Sequence, residues 1–389
     1  MRNEIATFLD ERIDAGDFPS AVYLVAEKGE IVLHEALGYA VVEPERIEAR
    51  VDTIYDLASL TKVLVTGLLA AKLMESKELE LGRTTDYYLE EFRTKEAYEG
   101  AWDTSVTELV AHVTLFKAWK PFYLFVEDRD QVLAEIVRTP LNLDAGNPVL
   151  YSDLNFLVLT FLIELLSEKR IDEQANETIV GPLELTSTFF NPAKEMQKRI
   201  AASEKGNQFE KQTCIEQGYL DERNPVAIAP GSDQIRDPQS AFRNYQIWGE
   251  VHDNNAYFMG GVAGHAGLFS TAEETFKIAQ QFLPNYSTLL KPETCELFRT
   301  NYTAGMNEHR SFAFQLASTP DSTAGTKMSP ESFGHLGFTG TSLWIDPVKE
   351  RVFILLTNRT HNRPLPFVNI NSVRRRFHDM AIEYLDKIS

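Results

Sequence analysis

Strand-like segments stand at both ends of this chain with helical ones between them, which leaves few ways to close a single sheet. Near the N-terminus, residues 21–26 and 31–38 are apolar, β-branched runs joined by Glu27-Lys28-Gly29-Glu30, where Gly29 can take the positive φ of a tight hairpin turn. Late in the chain, residues 312–317, 333–338, 342–346 and 352–357 read as consecutive strands, the last two linked by Pro347-Val348-Lys349-Glu350. Helical spacing opens the chain at Ile5, Phe8, Leu9 and Ile13, ending near Gly16, and closes it at Ile370, Val373, Phe377, Met380, Ala381 and Tyr384. Between about 86 and 301 the segments are mostly helical, as at 153–166 and 271–282, with Gly, Pro and Asn between them. The length of 389 residues suits two or three domains. The pattern makes them two and nested: an α/β (α+β) domain of 1–85 and 302–389, interrupted by a helical insertion domain of 86–301. No internal repeat or low-complexity tract is present.

Composition removes several function classes. Against 38 Lys plus Arg stand 57 Asp plus Glu, a formal net charge of −19, whereas nucleic-acid or anionic-membrane binding calls for a basic segment. At 43% hydrophobic and 24% charged, the chain is neither disordered nor collagen-like. Cys214 and Cys295 are far apart and match no zinc spacing, so buried free thiols are expected. The longest strongly apolar stretch, 156–163, ends at Glu164 and is too short to span a bilayer. The first ten residues carry acids where a signal peptide has a basic start and an apolar core. As written, the chain is expected in the cytoplasm, and exported only if a leader has been removed.

The chemistry concentrates at Ser59-Leu60-Thr61-Lys62, the only Ser-x-x-Lys in the chain. Residues 60–74 are good helix formers without proline, so a buried helix beginning near Ser59 is expected. Spacing of three on a helix puts hydroxyl and ammonium on one face. A serine nucleophile needs a neighbouring base, and a lysine serves only if its pKa falls from about 10.4 toward neutrality, which burial and a helix N-terminus favour. The same N-terminus aims backbone N–H groups at any anion beside Ser59, half of an oxyanion hole. The plainer reading makes Ser59 an N-cap and nothing more.

Two further segments weigh against that plainer reading. Residues 146–153, Gly-Asn-Pro-Val-Leu-Tyr-Ser-Asp, put Tyr151 and Asp153 in a turn before a helix, where Asp153 can also act as a cap. Residues 334–341, Gly-His-Leu-Gly-Phe-Thr-Gly-Thr, put His335 on a glycine-flanked strand that a ligand can approach closely. In isolation, Tyr151 reads as a packed aromatic and His335 as a strand histidine.

In order and spacing these three segments resemble the Ser-x-x-Lys, Tyr-x-Asn and Lys-Thr-Gly motifs of serine β-lactamases and penicillin-binding proteins, closest to the class C β-lactamase-like branch with its esterases and D-alanyl-D-alanine peptidases. Segments 52–58, 181–185, 260–271, 344–347 and 355–359 resemble that branch too, so the likeness runs from about Phe18 to His378. It implies a β-lactamase-like fold with an antiparallel sheet flanked by the N- and C-terminal helices. It implies an acyl-enzyme on Ser59, with Lys62 as proton acceptor and Tyr151 relaying the proton to the leaving group. It also implies that His335 hydrogen-bonds toward Tyr151 or substrate, and that the N–H groups of Ser59 and Phe338 form the oxyanion hole.

The departures bear on substrate. Asp153 stands where the family has Asn, and can hold Lys62 but not donate to a substrate carbonyl while ionised. His335 and Leu336 replace Lys and Thr, weakening carboxylate recognition, with Thr339, Thr341 or Arg359 as possible compensation; Leu336, Gly337 and Thr339 are the expected substrate-binding residues. At His112, 112–116 lacks the glycine of the family's His-Thr-Ser-Gly-Leu, which implies a reshaped, more apolar loop. The expected activity is hydrolysis of a small ester or amide, against β-lactamase or D-alanyl-D-alanine carboxypeptidase activity, or a catalytically idle ligand-binding relative. The partner is a small-molecule ester, amide or β-lactam substrate, with no nucleic acid. No cofactor or metal is expected: His252, Asp253 and His265 match no ligand spacing, and the glycines around His265 suggest a structural loop. Trp102, Trp119 and Trp248 are expected in the core or cleft wall.

Overall fold

At the N-terminal hairpin, Lys28 and Gly29 both take positive φ, 51° and 82°, which lets two residues reverse the chain between β1 (Ser20–Glu27) and β2 (Glu30–Val41). The computed structural model describes residues 3–94, 97, 103–142, 148–221 and 238–388. Trp102, Gly146 and Asn147 lie outside these described residues. The strands that follow are β3 (Ile47–Glu48), β4 (Tyr55–Asp56), β5 (Phe269–Ser270), β6 (Gln315–Leu316), β7 (Phe333–Leu336), β8 (Ser342–Asp346) and β9 (Arg351–Thr357).

Seven of them form one antiparallel sheet in the order β3-β2-β1-β9-β8-β7-β6. The two ends of the chain meet where β1 pairs with β9, Ala21 opposite Thr357 and Glu27 opposite Arg351. Because both faces of these strands are covered, they read as continuous apolar runs, and alternation decides only which layer each side chain joins. Ala21, Tyr23, Val25, Phe353 and Leu355 face the N-terminal helix Glu4–Asp14 and the C-terminal helix Asn371–Ile388. Val22, Leu24, Ile354 and Leu356 face the other way, into a cluster with Val63 and Leu64 of the helix after Ser59 and Phe156 and Leu159 of the helix Asp153–Ser167. Segments on either side of the boundaries expected near 85 and 301 therefore share one apolar core.

Three details differ from the sequence expectations. Only Gln315–Leu316 of 312–317 is strand; Ala313 takes φ 68° and the Ser311 N–H donates to the Phe314 carbonyl, turning Phe312 and Phe314 into contact with Phe298. Aromatic packing outweighs strand pairing there. The strand expected over 333–338 stops at Leu336, because Gly337 and Phe338 turn toward the nucleophile loop. A two-stranded ladder that no segment of the sequence suggested pairs β4 with β5, which lies in the mostly helical middle of the chain. Cys214 and Cys295 are free and buried. No helix among the described residues is long and apolar enough to cross a membrane.

Candidate active site

The β4–β5 ladder delivers the chain to Ser59. Buried Asp56 accepts from the backbone N–H of Ala58 at 2.8 Å and of His252 at 2.7 Å. Ala58 takes φ 48°, a left-handed conformation that disfavours any residue with a Cβ, and it persists because its neighbours are held. The Thr339 hydroxyl donates to the Asp56 carbonyl at 2.7 Å and the Thr341 hydroxyl to the Leu57 carbonyl at 2.9 Å. Ser59 thus lies on a braced turn, with helix from Leu60 and a π-helical stretch over Lys62–Gly67 before Leu68–Glu75.

Lys62 is wholly buried. Its ammonium donates to Ser59 Oγ at 3.0 Å and to the His265 carbonyl at 2.8 Å, and it lies 2.7 Å from Asp153 Oδ1. The fall in basicity expected of Lys62 is not found. Burial acts in that direction, but the Asp153 carboxylate, with a smaller contribution from Tyr151, outweighs it and raises the pKa above the ordinary lysine value. Lys62 is therefore an ammonium in the resting protein.

Tyr151 and Asp153 enter through the start of the helix Asp153–Ser167. Ser152 is its N-cap residue, Asp153 is already helical, and the Asp153 carboxylate faces Lys62 instead of capping. The Ser152 hydroxyl donates to the Lys117 carbonyl and its N–H to His112 Nδ1 at 3.1 Å, fixing the residue between the two. The His112 ring lies 4.7 Å from that of Tyr151, and His335 lies 5.7 Å from it on β7. The Tyr151 hydroxyl is buried beside Lys62 and Ser59, and burial raises its pKa against the opposing pull of those two groups.

His335 does not hydrogen-bond to Tyr151. Its Nδ1 meets the Leu336 carbonyl at 2.8 Å, so that nitrogen carries the proton and Nε2 is left as a buried acceptor without a protein partner. Burial first, then Arg310 and Lys62, hold its pKa well below the usual histidine range. Ser59, Tyr151, Asp153, His335, Leu336, Gly337 and Phe338 line one cleft of about 500 Å³. Among the described residues the Ser59 and Phe338 backbone N–H groups have no backbone acceptor. Thr339, expected to bind substrate, is buried and holds the nucleophile turn; Thr341 does the same and offers the cleft no compensation. Arg359 does reach the cleft, where its Nε donates to the Phe338 carbonyl at 2.7 Å.

Arg310, Arg374 and Glu210 also line the cleft and were missed from sequence. Arg374 had a readable signal, a charged residue beside Val373 on the apolar face of the closing helix; it donates to the Gly337 and Thr341 carbonyls. Burial lowers Arg374 to about 9 and Arg359 to about 10. Arg310 sits in a loop without local signal. Burial pushes the Glu210 carboxyl up to about 8, with Asp253 adding to the shift. His252 meets Glu204 at 2.8 Å, and His265 meets Asp253 at 3.0 Å. Trp119 lines the cleft, and Trp248 donates to the Ile200 carbonyl.

Comparison with known proteins bears on the family and the fold. The beta-lactamase family matches residues 5–373. A protein of Escherichia coli K12 named D-alanyl-D-alanine carboxypeptidase is 30% identical over 384 residues, 92% of this chain and 82% of its own length. Among solved structures, EstCE1, a hydrolase with promiscuous acyltransferase activity, superposes with a TM-score of 0.69 at 18% identity, covering 97% of both chains. A class C beta lactamase from Rhodobacter sphaeroides does so at 0.67 and 17%, covering 99% of both. The chain belongs to the beta-lactamase family of serine hydrolases.

Proposed function

We propose that Ser59 accepts an acyl group from a small ester or amide and yields it to water. The observation that carries this reading is Ser59 Oγ, 3.0 Å from an ammonium and next to the Tyr151 hydroxyl in one cleft. Ser59 Oγ forms a bond to the acyl carbon as the bond to the leaving oxygen or nitrogen breaks. The Oγ proton passes to the Tyr151 oxygen while the Tyr151 proton passes to the leaving atom, so no tyrosinate accumulates. Lys62, already an ammonium, stabilises negative charge on Oγ instead of removing the proton. The Ser59 and Phe338 N–H groups receive the carbonyl oxygen. Water then reverses these transfers to release the acid.

A second reading, cleavage of a D-alanyl-D-alanine peptide or a β-lactam, is favoured by Arg359 and Arg374. Both line the cleft beside Gly337 and Phe338, and among the described residues neither has an ion pair with a carboxylate. A substrate carboxylate complements them. Turnover of p-nitrophenyl esters, a chromogenic cephalosporin and a D-alanyl-D-alanine peptide by wild type and Ser59→Ala tests both readings. A Ser59-dependent preference for one class selects it, and turnover or fluorophosphonate labelling that survives Ser59→Ala defeats both.

A further inference from the structure

We propose that Arg310 is a positioning residue for Tyr151, supplying from a loop outside the three motifs the fixed positive charge that His335 does not provide. This rests on the reading of Ser59 and Tyr151 given above. The Arg310 guanidinium lies over the Tyr151 ring, with Cζ 5.5 Å from its centroid, while Lys62 Nζ lies 5.1 Å from the same centroid. One phenol is thus flanked by two cations, with the rings of His112 and His335 packed against it as well.

Both imidazoles are neutral, because burial first and Arg310 next hold their pKa values well below the usual histidine range. Backbone contacts fix one nitrogen of each, the Ser152 N–H at His112 Nδ1 and the Leu336 carbonyl at His335 Nδ1. Neither contributes a charge, and Asp153 on the side of Lys62 is negative. Among the described residues Arg310 is the remaining charged group facing the ring, and it is held tightly. Its Nη2 is 2.7 Å from Glu308 Oε1, its backbone N–H donates to the Thr303 hydroxyl, and its carbonyl accepts from the Tyr302 N–H. Arg310 is only 5% exposed, and its Nε has no protein partner.

A cation at the ring face stabilises negative charge on the phenol oxygen as the proton passes through it, an effect on the rate of the step and not on binding of an uncharged substrate. It also lowers the pKa of His112 and His335, and a positive charge at the ring face acts in the same direction on Tyr151. Removing it therefore moves both limbs of the pH profile in one direction.

The test is the pH dependence of kcat and KM for a neutral p-nitrophenyl ester with wild type, Arg310→Gln, Arg310→Lys and Glu308→Gln. Arg310→Gln is expected to lower kcat about tenfold or more, leave KM within about twofold, and move the whole kcat/KM profile up by about one pH unit. Arg310→Lys, which keeps the charge, restores most of the rate. Glu308→Gln removes the carboxylate that offsets the guanidinium and moves the profile to lower pH, so it carries the test alone if Arg310→Gln does not fold. A rise in KM with unmoved limbs, or Arg310→Lys as slow as Arg310→Gln, overturns the proposal. Ester turnover that survives Ser59→Ala instead overturns the reading on which it rests.

Discussion

Lys62 Nζ lies 2.7 Å from Asp153 Oδ1, so one buried ion pair joins the helix that follows Ser59 to the helix that follows Tyr151. Asp153→Asn removes the charge that holds the Lys62 proton and leaves burial unopposed, so the Lys62 pKa falls. If Lys62 acts as an ammonium, the alkaline limb of kcat/KM moves to lower pH. If it acts as the base, the acid limb moves down instead and activity below neutrality rises. The pH–rate profile of this one variant therefore separates the two roles.

Gly337 admits no side chain. A Cβ there would lie 1.9 Å from Thr341 Oγ1 and 2.5 Å from the Leu57 carbonyl oxygen, both part of the seam that holds the nucleophile turn. Gly337→Ala is expected to lower stability by about 1–3 kcal/mol and to slow labelling of Ser59 by a fluorophosphonate far more than that loss of folded protein explains. Denaturant titration and labelling kinetics on the same sample check this.

Asp56 braces Ala58 and His252 through two backbone N–H groups. Asp56→Ala leaves both donors without their acceptor, and a loss of about 2–4 kcal/mol is expected from two bonds to a buried carboxyl. Because Ala58 is then free to leave φ 48°, Ser59 loses its position, and the rate with any ester falls even at temperatures where the variant is fully folded.

Glu210 makes stability depend on pH. Burial holds its carboxyl at about 8 in the folded chain, against about 4.5 unfolded. Across that window the folded state keeps a proton that the unfolded state has released, so this contribution to stability is complete below pH 4.5 and is lost as pH rises toward 8. Gln in its place does not titrate and can still accept from the Asn254 N–H, as Glu210 does at 2.7 Å. The Tm of Glu210→Gln relative to wild type is therefore expected to climb by a few °C between pH 5 and 8, measured by calorimetry in matched buffers.

The sheet was legible in sequence wherever local pattern and final environment agree. The 27–30 hairpin, the strands Ser342–Asp346 and Arg351–Thr357 and the two terminal helices stand where their apolar periods put them. Legibility failed where a contact distant in sequence decided the backbone. The segment 312–317 has strand composition, but Phe312 and Phe314 pack with Phe298, and that bends the chain. The β4–β5 ladder pairs two residues with two others from the far side of the chain, and no local period marks so short a match.

The sequence by itself determined the family, the three motifs in order and the reach of Lys62 to Ser59, because a spacing of three on a helix is a local property. Only the tertiary structure decided what those residues are. Lys62 is an ammonium because Asp153 arrives beside it from another helix, and His335 is neutral because it is buried near Arg310 and Lys62, which together outweigh the bond to its own strand. Thr339 and Thr341 face the nucleophile turn because β7 ends against it. Arg310, Arg359 and Arg374 give a chain of net charge −19 a cleft with three arginines in its wall. Protonation and recognition depend on which charges meet at a few ångströms, and folding alone brings those charges together.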